Sequence, residues 1–116
     1  MAQKNAEALS AARRFVRSVK KSGIRLHAAY LYGSYATGHA RFDSDIDVAL
    51  VSPDFTGWVD DLEKIRVPLL TMDPRIEPVH LHPRNFCDEN PLAWEIKTKG
   101  IQLIGPRKKR PRTKRT

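Results

Sequence analysis

Two short motifs at a fixed spacing constrain this chain more than any other feature. The apolar run Leu31-Tyr32 leads into Gly33-Ser34, and ten residues after Ser34 comes Asp45-Ile46-Asp47, opening a second apolar run, Val48-Ala49-Leu50-Val51. The first motif reads as a strand running into a tight helix start. The second reads as a strand that returns to the same sheet. Alternate residues of a strand share a face, so Asp45 and Asp47 project side by side while Ile46, Val48 and Leu50 point into a core. Paired carboxylates suit a hard cation such as Mg²⁺, which takes oxygen ligands. Ser34 and the unpaired backbone N–H groups of the turn suit phosphate. Together they describe a site for a metal–nucleotide.

The rest of the chain supplies a frame for these strands. Residues 3–21 read as a helix, with Leu9, Ala12, Val16 and Val19 at helical spacing, Phe15 widening the stripe, and Gly23 near its end. Residues 24–32 read as a strand with both faces covered. A short helix is expected from Ser34 to about Ala40, closed by Gly38, and a strand over 45–51. A helix from Trp58 to about Leu70 carries Trp58, Leu62, Ile65 and Leu69, and Pro68 predicts an end or a kink near Arg66. Residues 76–81 read as a third strand, with Glu77, Val79 and Leu81 on one face. Pro78 there cannot donate a ladder hydrogen bond, which points to an edge position or a bulge. Asn90-Pro91 starts a helix that stops at Gly100, and 101–104 is a short last strand. The layout is a small α/β (α+β) domain, a mixed sheet flanked by helices. No G-x-G-x-x-G is present, so the strand–turn–strand unit is not a Rossmann crossover.

Gly33-Ser34, ten residues, then Asp45-x-Asp47 resembles the signature of the nucleotidyltransferase superfamily, and the small size resembles its minimal nucleotidyltransferase (MNT) group. The resemblance covers roughly residues 25–104. The combined spacing is specific, where either motif alone would be weak. The resemblance implies a nucleotidyltransferase fold and a third carboxylate on a later strand, for which Glu77 is the candidate. Family members often carry Asp there; Glu is a methylene longer and can still ligate. Asp45, Asp47 and Glu77 are then the catalytic and metal-binding residues. Asp45 and Asp47 would bridge two Mg²⁺ ions, and Glu77 would complete the ion nearer the acceptor. Gly33 and Ser34 would hold the triphosphate of ATP. The family often has a basic residue where this chain has Thr37, so Arg41 is the candidate for the missing phosphate contact.

Other polar residues have plainer readings. A solvent-facing strand edge would also display Asp45 and Asp47, and Ser34 would also cap a helix. Asp43 extends the alternation but suits a turn. His80-x-His82 matches a metal-binding spacing but lacks further ligands nearby, so a plain strand pair is expected. His39 suits a helix surface, and Trp58 and Trp94 suit a core. Cys87 has no activating neighbour in sequence.

The net charge of +8 is concentrated at one end. Residues 107–116 hold seven Lys or Arg and no acid, so the remaining fourteen basic residues face all thirteen acidic ones. The chain therefore divides into a nearly neutral domain, 1–106, and a basic, disordered tail, 107–116. Contact with RNA, DNA or an acidic partner and a merely solvated tail both fit this composition. The longest apolar runs are too short to span a bilayer. The start of the chain lacks a signal-peptide apolar region. With one cysteine, these features lead to an expectation of a cytoplasmic protein.

Minimal nucleotidyltransferases of this kind are commonly antitoxins paired with HEPN-domain ribonucleases. The resemblance thus implies transfer of AMP from ATP to a tyrosine hydroxyl of such a toxin within a hetero-oligomer. The chain has no additional domain to grip an acceptor, and a partner that brings the acceptor fits that deficit. Two other readings remain open: a binding module that neutralises its partner by contact alone, and an RNA-directed transferase using the tail.

Overall fold

The computed structural model describes residues 2–41, 43–57 and 60–106, apart from the side chains of residues 2–4. Trp58 and the basic tail lie outside the described residues. Four strands form one mixed sheet: β1 (Ala28–Tyr32), β2 (Ile46–Val51), β3 (Ile76–Leu81) and β4 (Ile101–Ile104), in the order β3-β2-β1-β4. β1 is antiparallel to both β2 and β4, whereas β2 and β3 are parallel. A parallel pair needs a crossover rather than a hairpin, and α3 (Asp60–Lys64) and α4 (Arg66–Thr71) supply it. β3 stands at the sheet edge, where Pro78 leaves no inner ladder bond unmade.

The long first helix, α1 (Ala2–Lys21), covers one face of the sheet. Its buried stripe is Ala8, Ala11, Ala12, Phe15, Val16 and Val19. It forms one core with Ala29 and Leu31 of β1 and with Ile46, Val48 and Leu50 of β2. Each large apolar side chain buried this way contributes about 1.5–3 kcal/mol. Leu9, expected in the stripe, is only partly buried and packs against its edge. α5 (Pro91–Lys99) follows the sequence reading: Asn90 Oδ1 accepts from the N–H groups of Leu92 at 3.0 Å and Ala93 at 3.3 Å. Ala93 and Ile96 are its buried face, while Trp94 is 49% exposed and does not serve the core. No helix among the described residues is long and apolar enough to cross a membrane.

Three elements differ from expectation, each for a local reason. β1 begins at Ala28 rather than residue 24. Arg25 leaves the ladder to bind Asp54, its N–H donating to Oδ2 at 2.9 Å and its Nε to Oδ1 at 3.1 Å. These hydrogen bonds pull the Asp54 carboxyl down to about 2. α2 (Ser34–Thr37) stops before Ala40, because Gly38 turns left-handed at φ 83° and its N–H closes on the Ser34 carbonyl. The expected 58–70 helix is two helices broken at Ile65. With the break there, Pro68 falls in the first turn of α4, where its missing N–H and its ring are tolerated. Leu62 is consequently 46% exposed, while Ile65 is fully buried.

Asp61 holds this crossover to the sheet. It is fully buried. Its carboxylate accepts from the N–H groups of Thr56 at 2.8 Å and Gly57 at 2.7 Å, from Thr56 Oγ1 at 3.2 Å, and lies 3.0 Å from His80 Nδ1. Burial pushes its pKa up, but the Thr56 and Gly57 donors and His80 outweigh burial and hold it below the usual carboxylate range. A group with a depressed folded pKa stabilises the fold above its unfolded pKa and loses that contribution as pH falls through the folded one. Asp61→Ala strands three donors and is expected to cost about 3 kcal/mol or more in urea unfolding. The wild-type urea midpoint should fall below about pH 4, with a shallower fall in Asp61→Asn. An Asp61→Ala protein of wild-type stability would show that these contacts hold nothing.

Candidate active site

The strand register lines up three polar residues on the sheet face opposite α1, beside α5, whose Glu95 acts on Tyr32. Tyr32 of β1 pairs with Asp47 of β2, and Asp47 pairs with Glu77 of β3. Directly paired residues project to the same side, so the phenol and the two carboxyls form a row. Asp45, immediately before β2, is exposed and shares this side by alternation. The structure thus brings Asp45, Asp47 and Glu77 together. Asp47 is half-buried and Glu77 exposed.

Electrostatics follow from this crowding. Burial raises the Asp47 pKa first, and the negative charges of Asp45 and Glu77 raise it further. The Tyr32 phenol is pushed up to about 12 by burial and then by Asp47, Glu95 and Glu77. The charges acting on Asp47 are therefore both negative, and such a cluster favours a cation. The cluster is not a closed metal cage: among the described residues, no group of three or more His, Cys, Asp or Glu converges to hold an ion. Mg²⁺ is ordinarily held through one or two carboxylates together with substrate phosphates and water. The donor set fits a metal that arrives with a nucleotide.

Gly33 joins the two motifs physically. It sits at φ 77° and ψ −151°, a region open to glycine and almost no other residue. A Cβ there would fall onto Asp47 Oδ2 and lie 3.1 Å from Cγ. The turn backbone is thus packed directly against the Asp47 carboxylate. Gly33 also occupies the N-cap position of α2, so Ser34 is the first helical residue and its hydroxyl is not the cap. The opening N–H groups of a helix have no intrahelical partner, and Ser34 stands among them, half-buried.

Behind this turn, buried Tyr35 donates its hydroxyl to the Arg41 carbonyl at 3.2 Å, and the Arg41 N–H donates to Ser44 Oγ at 2.8 Å. Arg41 is exposed, and its guanidinium is in no ion pair among the described residues. Thr37 spends its hydroxyl on the Gly33 carbonyl at 3.3 Å and on His39 Nδ1 at 3.0 Å. The two histidines of His80-x-His82 have separate structural partners. His80 faces Asp61, and His82 Nδ1 accepts from the Arg84 N–H at 3.1 Å. Sequence reasoning missed Tyr32 and Glu95 as neighbours of the cluster. Tyr32 directly precedes Gly33, which is a usable signal, but only the strand register shows that it faces Asp47.

Gly33→Ala is expected to lower stability by more than about 1 kcal/mol, because it combines a disfavoured backbone with an overlap on Asp47. Gly38→Ala, at positive φ but with nothing within 4 Å of the new Cβ, should cost less. Parallel urea titrations check this, and equal losses would show that the Asp47 contact is not tight.

Comparisons with known proteins identify the fold and the family. Residues 16–109 match the family model described as polymerase beta, nucleotidyltransferase. No curated protein matches the chain by sequence. Among solved structures, a Sulfolobus solfataricus protein assigned as a nucleotidyltransferase superposes with a TM-score of 0.65 at 17% identity, covering 87% of this chain and 83% of that one. A chain of a toxin–antitoxin MntA–HpeT mutant with two aspartate-to-glutamate substitutions gives 0.58 at 20% identity, over 80% and 72%. A chain of a toxin–antitoxin complex with AMP-PNP gives 0.59 at 23%, over 81% and 73%. At these identities the structures establish the fold, and the family match spans most of the sequence. The chain belongs to the polymerase beta nucleotidyltransferase family.

Proposed function

We propose that this protein transfers AMP from ATP to a tyrosine hydroxyl of a HEPN-type toxin and acts as its antitoxin. The observation that carries the proposal is the carboxylate row packed against the Gly33 turn. An anionic triphosphate does not settle beside three carboxylates without cations, so the cluster requires metal to accept a nucleotide at all. Asp45 and Asp47 would ligate both Mg²⁺ ions, and Glu77 would ligate the one nearer the acceptor. When bound, the ions supply charge neutralisation of the triphosphate and of the oxygen that attacks. Gly33 lets the turn backbone approach the phosphates closely. The Ser34 hydroxyl and the helix-opening N–H groups hold the β- and γ-phosphates, and exposed Arg41 reaches an outer phosphate.

The acceptor oxygen forms a bond to the α-phosphorus while the bond to pyrophosphate breaks. The proton of the acceptor hydroxyl passes to Glu77, which is exposed and can return it to water. The similar toxin–antitoxin structures, one of them described with AMP-PNP, support a toxin as partner and ATP as donor.

Intact-mass spectrometry of a co-expressed partner, after incubation with ATP and Mg²⁺, is expected to show one or more AMP additions on tyrosine. Asp45→Asn/Asp47→Asn should abolish the addition and leave the fold intact. A complex without mass change, whose neutralisation survives that double substitution, would replace this reading with the binding-module one.

A further inference from the structure

The sheet edge farthest from Glu77 carries a second surface. A small open groove of about 90 Å³ lies between α1 and β4, lined by Arg13, Val16, Arg17, Lys20, Leu103 and Ile104. The four helix residues recur at positions i, i+3, i+4 and i+7, so they form one stripe along α1. Val16 and Leu103 belong to the core and Ile104 packs against it, which gives the groove an apolar floor. The wall is wholly cationic. None of Arg13, Arg17 and Lys20 takes part in an ion pair among the described residues. β4 pairs only with β1 and ends the sheet, so its outer edge has no strand partner among the described residues.

We propose that this groove docks an extended acidic segment of a partner protein. The segment adds to the β4 edge, seats one apolar side chain on Val16, Leu103 and Ile104, and sets its flanking carboxylates against Arg13, Arg17 and Lys20. Strand addition supplies main-chain hydrogen bonds, and the pocket supplies selectivity. Opposite charge at the rim speeds encounter and fixes register. The apolar floor and the open strand edge favour a peptide over RNA, since a phosphate backbone uses neither. Residues 107–116, with seven Lys or Arg and no acid, cannot be the acidic occupant. The surface lies on the α1 face, opposite the Asp47 row, and does not depend on the transferase reading.

The test is fluorescence anisotropy on the full chain at about 0.15 M salt, where weak exposed attractions are largely screened. The probes are a labelled peptide with one leucine between pairs of glutamates, the same peptide with serine for leucine, and a ten-nucleotide oligouridine. The leucine peptide is expected to bind, and to bind at least tenfold more weakly to Arg13→Ala/Arg17→Ala/Lys20→Ala. Serine for leucine should weaken binding about fivefold or more. Asp47→Asn should bind like wild type, and bound peptide should slow amide exchange along β4. No binding of the leucine peptide, equal binding of both peptides, or tighter binding of oligouridine would overturn the proposal. So would binding unchanged by the triple substitution, which would assign the attraction to the basic 107–116 segment.

Discussion

The close approach of the Gly33 backbone to the Asp47 carboxylate is the contact on which the site depends. A Cβ at position 33 would fall onto Asp47 Oδ2 and force the carboxylate to turn away. The Gly33 turn and the start of β2 can approach this closely because position 33 has no side chain. The core on the opposite face fixes the backbone on which Asp47 stands. Val48 and Leu50, alternating with Asp47, are fully buried, so the strand cannot rotate without exposing them.

That crowding has an energetic sign. Asp47 is raised by burial, by Asp45 and by Glu77, so its ionised form is disfavoured in the folded protein. Stability is then greater when Asp47 is protonated and declines as pH rises through its folded pKa. Asp61 is the opposite case, a buried carboxylate surrounded by donors and held ionised. One acid fastens the crossover that delivers β3. The other stands among like charges that disfavour its ionised form.

Much of the site was legible because its residues are close in sequence. Gly33, Ser34, Asp45 and Asp47 lie within a single strand–turn–strand unit, and period-two alternation placed the two aspartates on one face. Glu77 could be placed because 76–81 alternates cleanly and Pro78 marks an edge strand. What could not be read depends on register or on distant partners. Tyr32 faces Asp47 only through the β1–β2 pairing, and Glu95 reaches the cluster from α5. The loss of residues 24–27 from β1 follows from Asp54, a partner far along the chain. The exposure of Trp94 and Leu62 shows the limit of apolar counting, since a helix on a four-stranded sheet buries one stripe and leaves its other large side chains to water.

The proposed function makes the carboxylate row a site for a cation that arrives with a nucleotide. Thermal melts of wild type and Asp47→Asn at pH 7, with and without Mg²⁺ and a non-hydrolysable ATP analogue, test it most directly. Without ligand, Asp47→Asn should melt at or above the wild-type temperature, because it removes the repelled charge. With Mg²⁺ and the analogue together, wild type should gain stability by mass action while Asp47→Asn gains little, so the order reverses. Equal stabilisation of both proteins, or stabilisation of wild type by the analogue without Mg²⁺, would contradict the account.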